Sequence, residues 1–372
     1  MTRRIVLAGG GTAGHVNPLL ATALTLRERN FTVDVLGTRE GLESDLVPAA
    51  GFELSVIDKA PFPRRPDLEA LRFPGKWRRA VTACEDVVRG AECVVGFGGY
   101  VSTPAYRAAT RLGVPIVIHE QNARPGLANR VGARSAALVA LTFENTPLVA
   151  RQGRTEVTGL PLRPAIAQLA HKRLDPSLAR QARVEGAVRL EVNPDLPTLL
   201  ITGGSLGALS LNRALSQAAE RLPEGVQVIH LTGRGKDGPV REAIRAAGVE
   251  ERWLVCDYLK TMEDALALAD LVVCRSGAGT VAEMTALGLP CVYVPLPIGN
   301  GEQRLNAHGH VESGGAILVE DSDLNAKYAA SRVFPLLGSE RLKTMAEASR
   351  GQGRVHAASD FVDLIESVIG EL

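Results

Sequence analysis

A glycine-rich turn near the start of the chain, residues 9–14 (Gly-Gly-Gly-Thr-Ala-Gly), is of a type that binds phosphate. It follows the short apolar run of residues 5–8 and precedes a segment with helical periodicity. A turn of this kind exposes backbone N–H groups at a helix N-terminus, whose partial positive charge attracts anions. The first glycine turn, as we call residues 9–14, therefore predicts a phosphate site, although the same glycines would also allow a tight turn without a ligand.

His15 follows the first glycine turn directly. The field at a helix N-terminus disfavours an imidazolium ion, so the ring should be neutral and able to accept a proton near pH 7. A histidine in that state suits a general base. The alternative is a histidine that packs beside the turn or lies on the surface without a chemical role.

Two further segments in the second half carry the same kind of chemistry. The second glycine turn, residues 203–207, offers backbone N–H groups and the hydroxyl of Ser205 to an anion. The 275–283 segment holds another turn and ends at Glu283, a carboxylate that could accept bonds from two vicinal ribose hydroxyls, or could be solvated or cap a helix. Arg163, beside two prolines, could fix a cation over a phosphate or be a surface arginine.

These residues must be positioned by a repeated unit, in which a short apolar run is followed by a glycine turn and a helical pattern. Buried parallel strands are typically continuous apolar runs of this length, so the fold class is α/β. The second glycines of the two turns lie 204 − 10 = 194 residues apart, so the two halves begin alike. Doubly wound halves bind ligands beyond the carboxyl ends of their strands, which predicts a site in a cleft between the halves.

The sequence predicts two domains and a C-terminal addition. Residues 1–163 are predicted to form the first domain and residues 164–340 the second. Prolines mark the boundary near residues 158–164, and the stretch to about residue 197 is predicted to be a linker with an irregular helix. Residues 341–372 have helical spacing and should pack on the outside or cross back to the first domain.

Composition narrows the class of protein. Among 372 residues, 42 Lys and Arg nearly balance 41 Asp and Glu, and this net charge of +1 argues against nucleic acid as the main partner. The five dispersed cysteines favour a reducing compartment. The apolar run at the N-terminus is too short for a signal peptide, and no run approaches the ~18 residues of a membrane span. We expect a cytoplasmic protein.

Two other parts of the sequence suggest alternative chemistries. Asp321-Ser-Asp323 looks like a metal-binding D-x-D motif, but it follows an apolar strand and precedes a helical stretch, so Ser322 or Asp323 is predicted to be an N-cap. Asp34, 20 residues beyond Gly14, would suit a nicotinamide-dependent oxidoreductase, but the strand continues past it. The oxidoreductase is therefore only a secondary alternative.

The segment of residues 63–79 combines six basic residues with apolar ones. This composition suits the surface of an anionic membrane, whereas the alternative is a basic helix whose apolar residues face the core. We predict that Arg72, Lys76, Arg78 and Arg79, with Phe73 and Trp77, dock the protein on such a surface.

Six motifs in order across nearly the whole chain carry a family resemblance. They are GGGTAGHV (9–16), FGGYVSTP (97–104), HEQN (119–122), GGSLGA (203–208), RSGAGTVAE (275–283) and QRLNA (303–307). Together they resemble the MurG family of peptidoglycan N-acetylglucosaminyltransferases. Departures from the family pattern occur at Ala13, Thr103, Leu160 and Leu206.

The resemblance implies a GT-B fold, with two Rossmann-like doubly wound domains facing a cleft. It implies an inverting hexosyltransferase that moves GlcNAc from UDP-GlcNAc to the 4-hydroxyl of MurNAc in undecaprenyl-pyrophosphoryl-MurNAc-pentapeptide, converting lipid I to lipid II; another UDP-sugar GT-B glycosyltransferase is the alternative. The implied substrate-binding residues are Thr12, Ala13, Gly14, Asn122, Arg163, Ser205, Leu259, Ala278, Gly279, Thr280, Val281, Ala282, Glu283 and Gln303.

The chemistry of such a transfer needs a base for the acceptor hydroxyl and positive charge for the departing diphosphate. His15 is the first candidate for the base, and Glu120, beside His119, is the rival. The glycine-containing loops of the second domain, with Arg163, could supply the positive charge, so we expect neither a metal nor a cofactor. The resemblance also implies a peripheral protein on the cytoplasmic face of the cell membrane, with roles in cell wall synthesis and cell division.

Overall fold

The computed structural model describes residues 3–60, 68–298 and 300–370. Its strands are β1 Arg4–Ala8, β2 Thr32–Gly37, β3 Leu54–Val56, β4 Cys93–Gly96, β5 Ile116–Glu120, β6 Leu138–Leu141, β7 Arg154–Val157, β8 Thr198–Thr202, β9 Gln227–Leu231, β10 Trp253–Cys256, β11 Leu271–Cys274, β12 Cys291–Tyr293 and β13 Ala316–Leu318. Its helices are α1 Ala13–Glu28, α2 Glu43–Ala49, α3 Leu68–Val88, α4 Ser102–Leu112, α5 Leu127–Gly132, α6 Pro164–Lys172, α7 Pro176–Leu190, α8 Leu209–Ser216, α9 Gly238–Ala247, α10 Met262–Leu268, α11 Ala278–Ala286, α12 Glu302–Glu312, α13 Ala326–Tyr328, α14 Glu340–Gln352 and α15 Ala357–Gly370.

The chain folds into two compact units. One unit ends at Arg163 and is rejoined by the chain from His356, and the other is Pro164–Val355. Each unit is built on a parallel sheet with helices on both faces, as the repeated strand–turn–helix pattern predicts. The α/β class with two Rossmann-like doubly wound units is therefore confirmed.

The first unit has a seven-stranded sheet in the order β3-β2-β1-β4-β5-β6-β7. Residues of α1, α2 and α15 pack on one face of this sheet, around Leu19, Leu26 and Phe361. Residues of α3 and α4 pack on the other face, around Val81 and Ala105, and Gly132 of α5 lies against Tyr106 and Ile118 of the same cluster. The strands β1, β4 and β6 are mainly apolar because both of their faces are covered.

The second unit repeats this arrangement with a six-stranded sheet in the order β10-β9-β8-β11-β12-β13. All of its strand pairs are parallel. One of its core clusters joins strand residues such as Leu199 and Val273 to Leu211 of α8 and Phe334.

The stretch after the boundary is more regular than predicted. Two helices, α6 and α7, occupy most of the region that was expected to be a linker with an irregular helix. A local signal for α7 exists in the sequence: Asp175 accepts bonds from the N–H groups of Ser177 at 2.8 Å and Leu178 at 3.1 Å, and Pro176 follows it at the first helical position. The pattern of α7 is weak in the sequence because the helix is rich in charged residues and buries only a few small ones.

The two C-terminal helices belong to different units. Helix α14 lies in the second unit and buries Leu342 and Met345, whereas α15 lies in the first unit and buries Phe361 and Ile365. Helix α15 packs against α1, and its Asp363 and Glu366 both pair with Arg29. The predicted 341–372 group is thus divided near residue 355.

No helix in the described parts of the chain has the length and apolar character needed to cross a membrane. The first five residues of the predicted basic segment, 63–67, lie outside the described residues.

Candidate active site

The glycine turns of both units follow the strands at which the direction of winding reverses. In the first sheet this reversal lies between β1 and β4, and in the second it lies between β8 and β11. The first glycine turn follows β1 and the second glycine turn follows β8. Open parallel sheets bind ligands at these switch points, beyond the carboxyl ends of the strands.

In the first unit, two glycine turns approach so closely that side chains are excluded. A Cβ on Gly99 would lie 2.6 Å from the carbonyl oxygen of Gly10, and one on Gly98 would lie 3.3 Å from Nε2 of His15. Both glycines have positive φ, at 82° and 91°. Glycine is therefore required here, and its use brings the turn after β4 against the first glycine turn and His15.

The ring of His15 is oriented by backbone. Its Nδ1 lies 3.0 Å from the carbonyl oxygen of Gly10 and 3.3 Å from Oγ1 of Thr12. A carbonyl oxygen can only accept, so Nδ1 carries the proton in this contact and Nε2 holds the lone pair in the neutral ring. The half-buried His15 thus presents a basic nitrogen over Gly98, whereas Thr12, Ala13 and Gly14 are exposed around the N-terminus of α1.

Glu120, the rival base, ends β5 with its carboxylate buried. Its Oε1 accepts from the N–H of Asn122 at 3.0 Å, and its Oε2 accepts from the N–H of Gly126 at 3.0 Å and from Nδ2 of Asn129 at 2.9 Å. Burial raises the pKa of Glu120, against the opposing effect of these hydrogen bonds and of nearby His15. The carboxylate therefore holds the turn that carries Asn122, and only 2% of the residue is exposed.

Its neighbour His119 is fully buried and structural. Nε2–H donates to the carbonyl oxygen of Gly159 at 2.9 Å, and Nδ1 lies 3.2 Å from Nε2 of Gln121. Burial lowers the pKa of His119 to about 4. The neutral ring ties the end of β5 to the segment that leads to half-buried Arg163, the last residue before α6.

Sequence reasoning missed Glu43, a fully buried carboxylate beneath the first glycine turn. Its Oε2 accepts from the N–H of Gly11 at 2.8 Å, and its Oε1 accepts from the N–H and Oγ1 of Thr38 at 3.0 and 2.8 Å. Gly10 and Gly41 leave room for it, since a Cβ on either would lie within 2.3 Å of a carboxylate oxygen. A carboxylate soon after a strand and preceded by Gly37 and Gly41 was the available signal.

In the second unit, the second glycine turn leaves Ser205 exposed between β8 and α8. A Cβ on Gly207 would lie 2.0 Å from the carbonyl oxygen of Thr232, so the turn is pressed against the loop after β9. That loop brings Lys236, whose Nζ donates to the carbonyl oxygen of Leu206 at 2.6 Å. Lys236 is a second residue near the site that the sequence did not single out.

The predicted run of residues 278–283 starts α11, and its side chains divide between core and surface. Ala278 and Val281 are buried, at 8% and 2% exposure, so they can reach a ligand only through backbone. Gly279, Thr280, Ala282 and Glu283 are half-buried. Residues three and four apart share a helix face, so Glu283 lies below Gly279 and Thr280 on the first turns of α11.

Two side chains pin the loop after β12, next to α11. Oε1 of Gln303, on α12, accepts from the N–H of Leu296 at 3.0 Å. Arg275 donates to the carbonyl oxygens of Val294 and Pro295 at 3.0 and 3.1 Å. Gln303, predicted to bind the donor, therefore has one side-chain oxygen already engaged in shaping this loop.

The D-x-D segment has a structural role, but the predicted caps were wrong. Arg275 pairs with Asp321 at 2.6 Å, and Ser210 donates to the same carboxylate oxygen at 2.7 Å. The helix that follows is capped by Asn325, whose Oδ1 accepts from the N–H of Tyr328 at 3.0 Å. This cap lies two residues after Asp323 and three after Ser322, so neither of those residues is the cap.

Leu259 lies in the loop after β10, beside exposed Tyr258. The guanidinium of Arg234 lies 4.5 Å from the centre of the Tyr258 ring, a cation–π contact. This places a further cation in the loops at the carboxyl end of the second sheet.

The position of Asp34 argues against the alternative of a nicotinamide-dependent oxidoreductase. Asp34 lies inside β2 and accepts from Nε of Arg4 at 2.6 Å, level with Val6 rather than at the carboxyl end of the strand. A ribose acid must lie beyond that end to reach a ligand at the glycine turn. Asp34 therefore serves as an ion-pair partner between β1 and β2.

Comparison with known proteins agrees with this geometry. Residues 5–141 match the glycosyltransferase family 28 N-terminal domain, and residues 198–366 match the family 28 C-terminal domain. A relative from Bifidobacterium longum, "UDP-N-acetylglucosamine--N-acetylmuramyl-(pentapeptide) pyrophosphoryl-undecaprenol N-acetylglucosamine transferase", is 50% identical over 96% of this chain and 95% of its own length. A relative of the same name from Streptomyces coelicolor is 45% identical over 98% of each chain.

Solved structures agree as well. The crystal structure of Acinetobacter baumannii MurG superposes with a TM-score of 0.80 at 28% identity, covering 98% of this chain and 99% of that one. A Phytolacca americana glycosyltransferase, UGT2, shares the fold alone, with a TM-score of 0.71 at 14% identity over 99% of this chain and all of that one. Two family domains, near-full-length relatives and a shared structure together place this chain in glycosyltransferase family 28, within the MurG family.

Proposed function

We propose that the chain transfers GlcNAc from UDP-GlcNAc to undecaprenyl-pyrophosphoryl-MurNAc-pentapeptide, forming lipid II for peptidoglycan synthesis. The observation that carries this proposal is the near-full-length identity, about half of all positions, to relatives named for that reaction. The glycine turns at both switch points supply the two binding regions that a sugar nucleotide and a diphosphate-linked acceptor need.

The second unit is proposed to hold the donor. The N-termini of α8 and α11 offer N–H groups to the diphosphate, with the exposed Ser205 hydroxyl beside them. Glu283 would accept from the ribose hydroxyls, and Leu259 would contact the nucleoside. Lys236 would add positive charge for the departing diphosphate, and Arg163, the last residue of the first unit before α6, is proposed to add a second cation.

The first unit is proposed to supply the base. Nε2 of His15 would take the proton from the 4-hydroxyl of MurNAc as that oxygen attacks C1 of GlcNAc from the face opposite UDP. The bond between C1 and the diphosphate oxygen breaks, so the configuration at C1 inverts and UDP leaves with both electrons. His15 is favoured over Glu120 because its Nε2 holds a lone pair and the residue is only half-buried, whereas both oxygens of the buried Glu120 already accept N–H bonds.

The test is turnover of UDP-GlcNAc with a soluble lipid I analogue, followed by release of UDP and by mass spectrometry of the product. A product heavier by one GlcNAc supports the proposal. Turnover with a different UDP-sugar in preference to UDP-GlcNAc would favour another GT-B transferase. Binding of a nicotinamide cofactor without transfer would favour the oxidoreductase.

Turnover is expected to survive chelation of divalent cations. The positive charge at the diphosphate would come from helix N-termini, Lys236 and Arg163, and Asp321 of the D-x-D segment is already paired with Arg275. The measurement is the initial rate with and without EDTA, after the protein has been dialysed against the chelator. Loss of turnover that Mg²⁺ or Mn²⁺ restores would contradict this expectation.

We also propose that the first unit docks peripherally on the anionic cytoplasmic leaflet of the cell membrane. Helices α3 and α5 cover the same face of its sheet, on either side of α4. On α3, Arg72, Arg78 and Arg79 are exposed and Leu71 is 78% exposed. Trp77 is partly buried against the core cluster of this face. It therefore attaches α3 to the first unit, whereas the sequence predicted that it contacts the membrane.

Helix α5 adds a second basic and apolar region to this face. A hollow of about 290 Å³ beside α5 is lined by Arg130, Arg134 and Arg151 together with Leu127 and Val149. None of these three arginines pairs with a carboxylate of the residues that the structure describes. Leu127 and Val149 are 65% and 69% exposed. Cations and exposed apolar side chains on one face suit an anionic lipid surface.

Reversal of four charges on α3 should weaken vesicle binding. Each basic residue near an anionic surface contributes about 1 kcal/mol, which fades with salt over a Debye length of ~8 Å. The variant replaces Arg72, Lys76, Arg78 and Arg79 by Glu. The measurement is co-sedimentation with phosphatidylglycerol vesicles at low and high salt.

The control reverses four exposed arginines of the second unit, Arg213, Arg221, Arg245 and Arg332. We expect strong, salt-sensitive binding of the wild type and the control, and weak binding of the α3 variant. Equal binding by all three proteins would mean that α3 does not face the membrane.

A further inference from the structure

A single peptide group lies between Glu43 and His15. The N–H of Gly11 donates to Oε2 of Glu43 at 2.8 Å, and the carbonyl oxygen of Gly10 lies 3.0 Å from Nδ1 of His15. The carbonyl of residue 10 and the N–H of residue 11 belong to the same planar peptide. One rigid group therefore contacts a buried carboxylate on one side and the imidazole on the other.

The carboxylate in this chain of contacts is ionised. Burial alone would raise the pKa of Glu43, but hydrogen bonds from the N–H of Gly11, from its own backbone and from Thr38 lower it below its ordinary value. Three hydrogen bonds, from the N–H of Gly11 and from the N–H and Oγ1 of Thr38, donate to the carboxylate and favour its charged form. A negative charge is thus fixed at one end of the Gly10–Gly11 peptide.

We propose that Glu43 is a positioning residue for His15, acting through the Gly10–Gly11 peptide. A carboxylate that accepts from a peptide N–H polarises the peptide and makes its carbonyl oxygen a stronger acceptor. The stronger acceptor holds Nδ1–H of His15, which keeps the lone pair on Nε2 and stabilises the imidazolium formed when Nε2 takes a proton. This inference rests on the proposed role of His15 as the base.

Two ionisable groups therefore act on His15 from different elements. Glu43 acts from the start of α2 through the peptide, and Glu120 acts electrostatically from the end of β5. Their separate attachments make them separable by mutation, because Glu120 is held by Asn122, Gly126 and Asn129, and Glu43 is held by Gly11 and Thr38.

The test is a double-mutant cycle with Glu43→Gln and His15→Ala. Gln keeps the shape of Glu but removes the charge and turns a donor toward Gly11 or Thr38. In the wild-type background we expect kcat to fall about 10- to 100-fold, the range for loss of a hydrogen bond to a charged group. In the His15→Ala background the same substitution should change kcat by less than about twofold, because the group through which Glu43 acts is gone.

Thr38→Val is the matched control, since it removes a hydrogen bond to Oε1 of Glu43 and leaves the contact with Gly11. It should change kcat far less than Glu43→Gln does. A similar loss of kcat from Glu43→Gln in both backgrounds would overturn the inference and leave His15 as the base. Normal kcat in His15→Ala alone would instead overturn the proposed base.

An NMR titration of the His15 ring gives a readout that does not depend on turnover. Glu43→Gln should make the ring easier to deprotonate, so that the midpoint of its titration moves to lower pH. The tautomer signal should also shift away from Nδ1–H. An unchanged titration and tautomer in a folded Glu43→Gln protein would contradict the inference.

Discussion

Replacement of His15 by Ala is expected to lower kcat by about 10² to 10⁴, the usual contribution of a general base. The donor is proposed to bind the second unit, so the Kd for UDP-GlcNAc should stay nearly unchanged. The geometry supports this separation, because His15 contacts Gly10 and Thr12 and lies over Gly98, all in the first unit. Steady-state kinetics with the lipid I analogue and calorimetric titration with UDP-GlcNAc measure the two quantities.

The pH profile of kcat gives a second readout for the same residue. Protonation of Nε2 removes the base, so wild-type kcat should fall on the acidic side, and that limb should vanish in His15→Ala. His308→Ala, a change at an exposed histidine of the second unit, is the matched control and should leave the profile intact. A variant with near-normal kcat and the same acidic limb would make Glu120 the next base to test.

Replacement of Glu283 by Ala is expected to raise the KM for UDP-GlcNAc at least tenfold. The proposed pair of hydrogen bonds from ribose hydroxyls to a carboxylate contributes about 1.5 to 3 kcal/mol per bond, and the half-buried position of Glu283 on α11 limits replacement by water. The KM for the acceptor should change little, because the acceptor is assigned to the first unit.

Glu242→Ala is the control for this change, since Glu242 is exposed on α9 of the same unit. It should leave both KM values unaltered. Glu283→Gln keeps one acceptor oxygen, so its KM for UDP-GlcNAc should lie between those of the wild type and the Ala variant. If Glu283→Ala left the KM for UDP-GlcNAc unchanged, the ribose would have to be held elsewhere.

The repeated pattern of apolar run, glycine turn and helix was sufficient to predict the α/β class and two similar halves. Both are local properties: a buried parallel strand is apolar in sequence, and a glycine is required wherever a strand turns tightly into a helix. The same local signals placed His15 at the start of α1 and Glu283 on α11. The order of six motifs was likewise enough to identify the family.

The tertiary structure decided what each buried polar side chain does. Glu43 meets Gly11 across 32 residues, Asp321 is reached by Ser210 across 111 residues, and His119 meets Gly159 across 40. Nothing in the local sequence specifies these partners, because they depend on which strands become neighbours in each sheet. The sequence therefore predicted Glu120 as a possible base and Asp323 as a cap without the contacts that decide between roles.

Sequence by itself determined the strands, the glycine turns, the family and the candidate base of this protein, since periodicity and backbone freedom are encoded residue by residue. Only the tertiary structure decided that Glu120 holds a turn, that Glu43 lies behind the peptide that orients His15, and that α14 and α15 belong to different units. The physical reason is that a buried charge must find its hydrogen-bond partners wherever the fold brings them, and the fold brings them from distant parts of the chain.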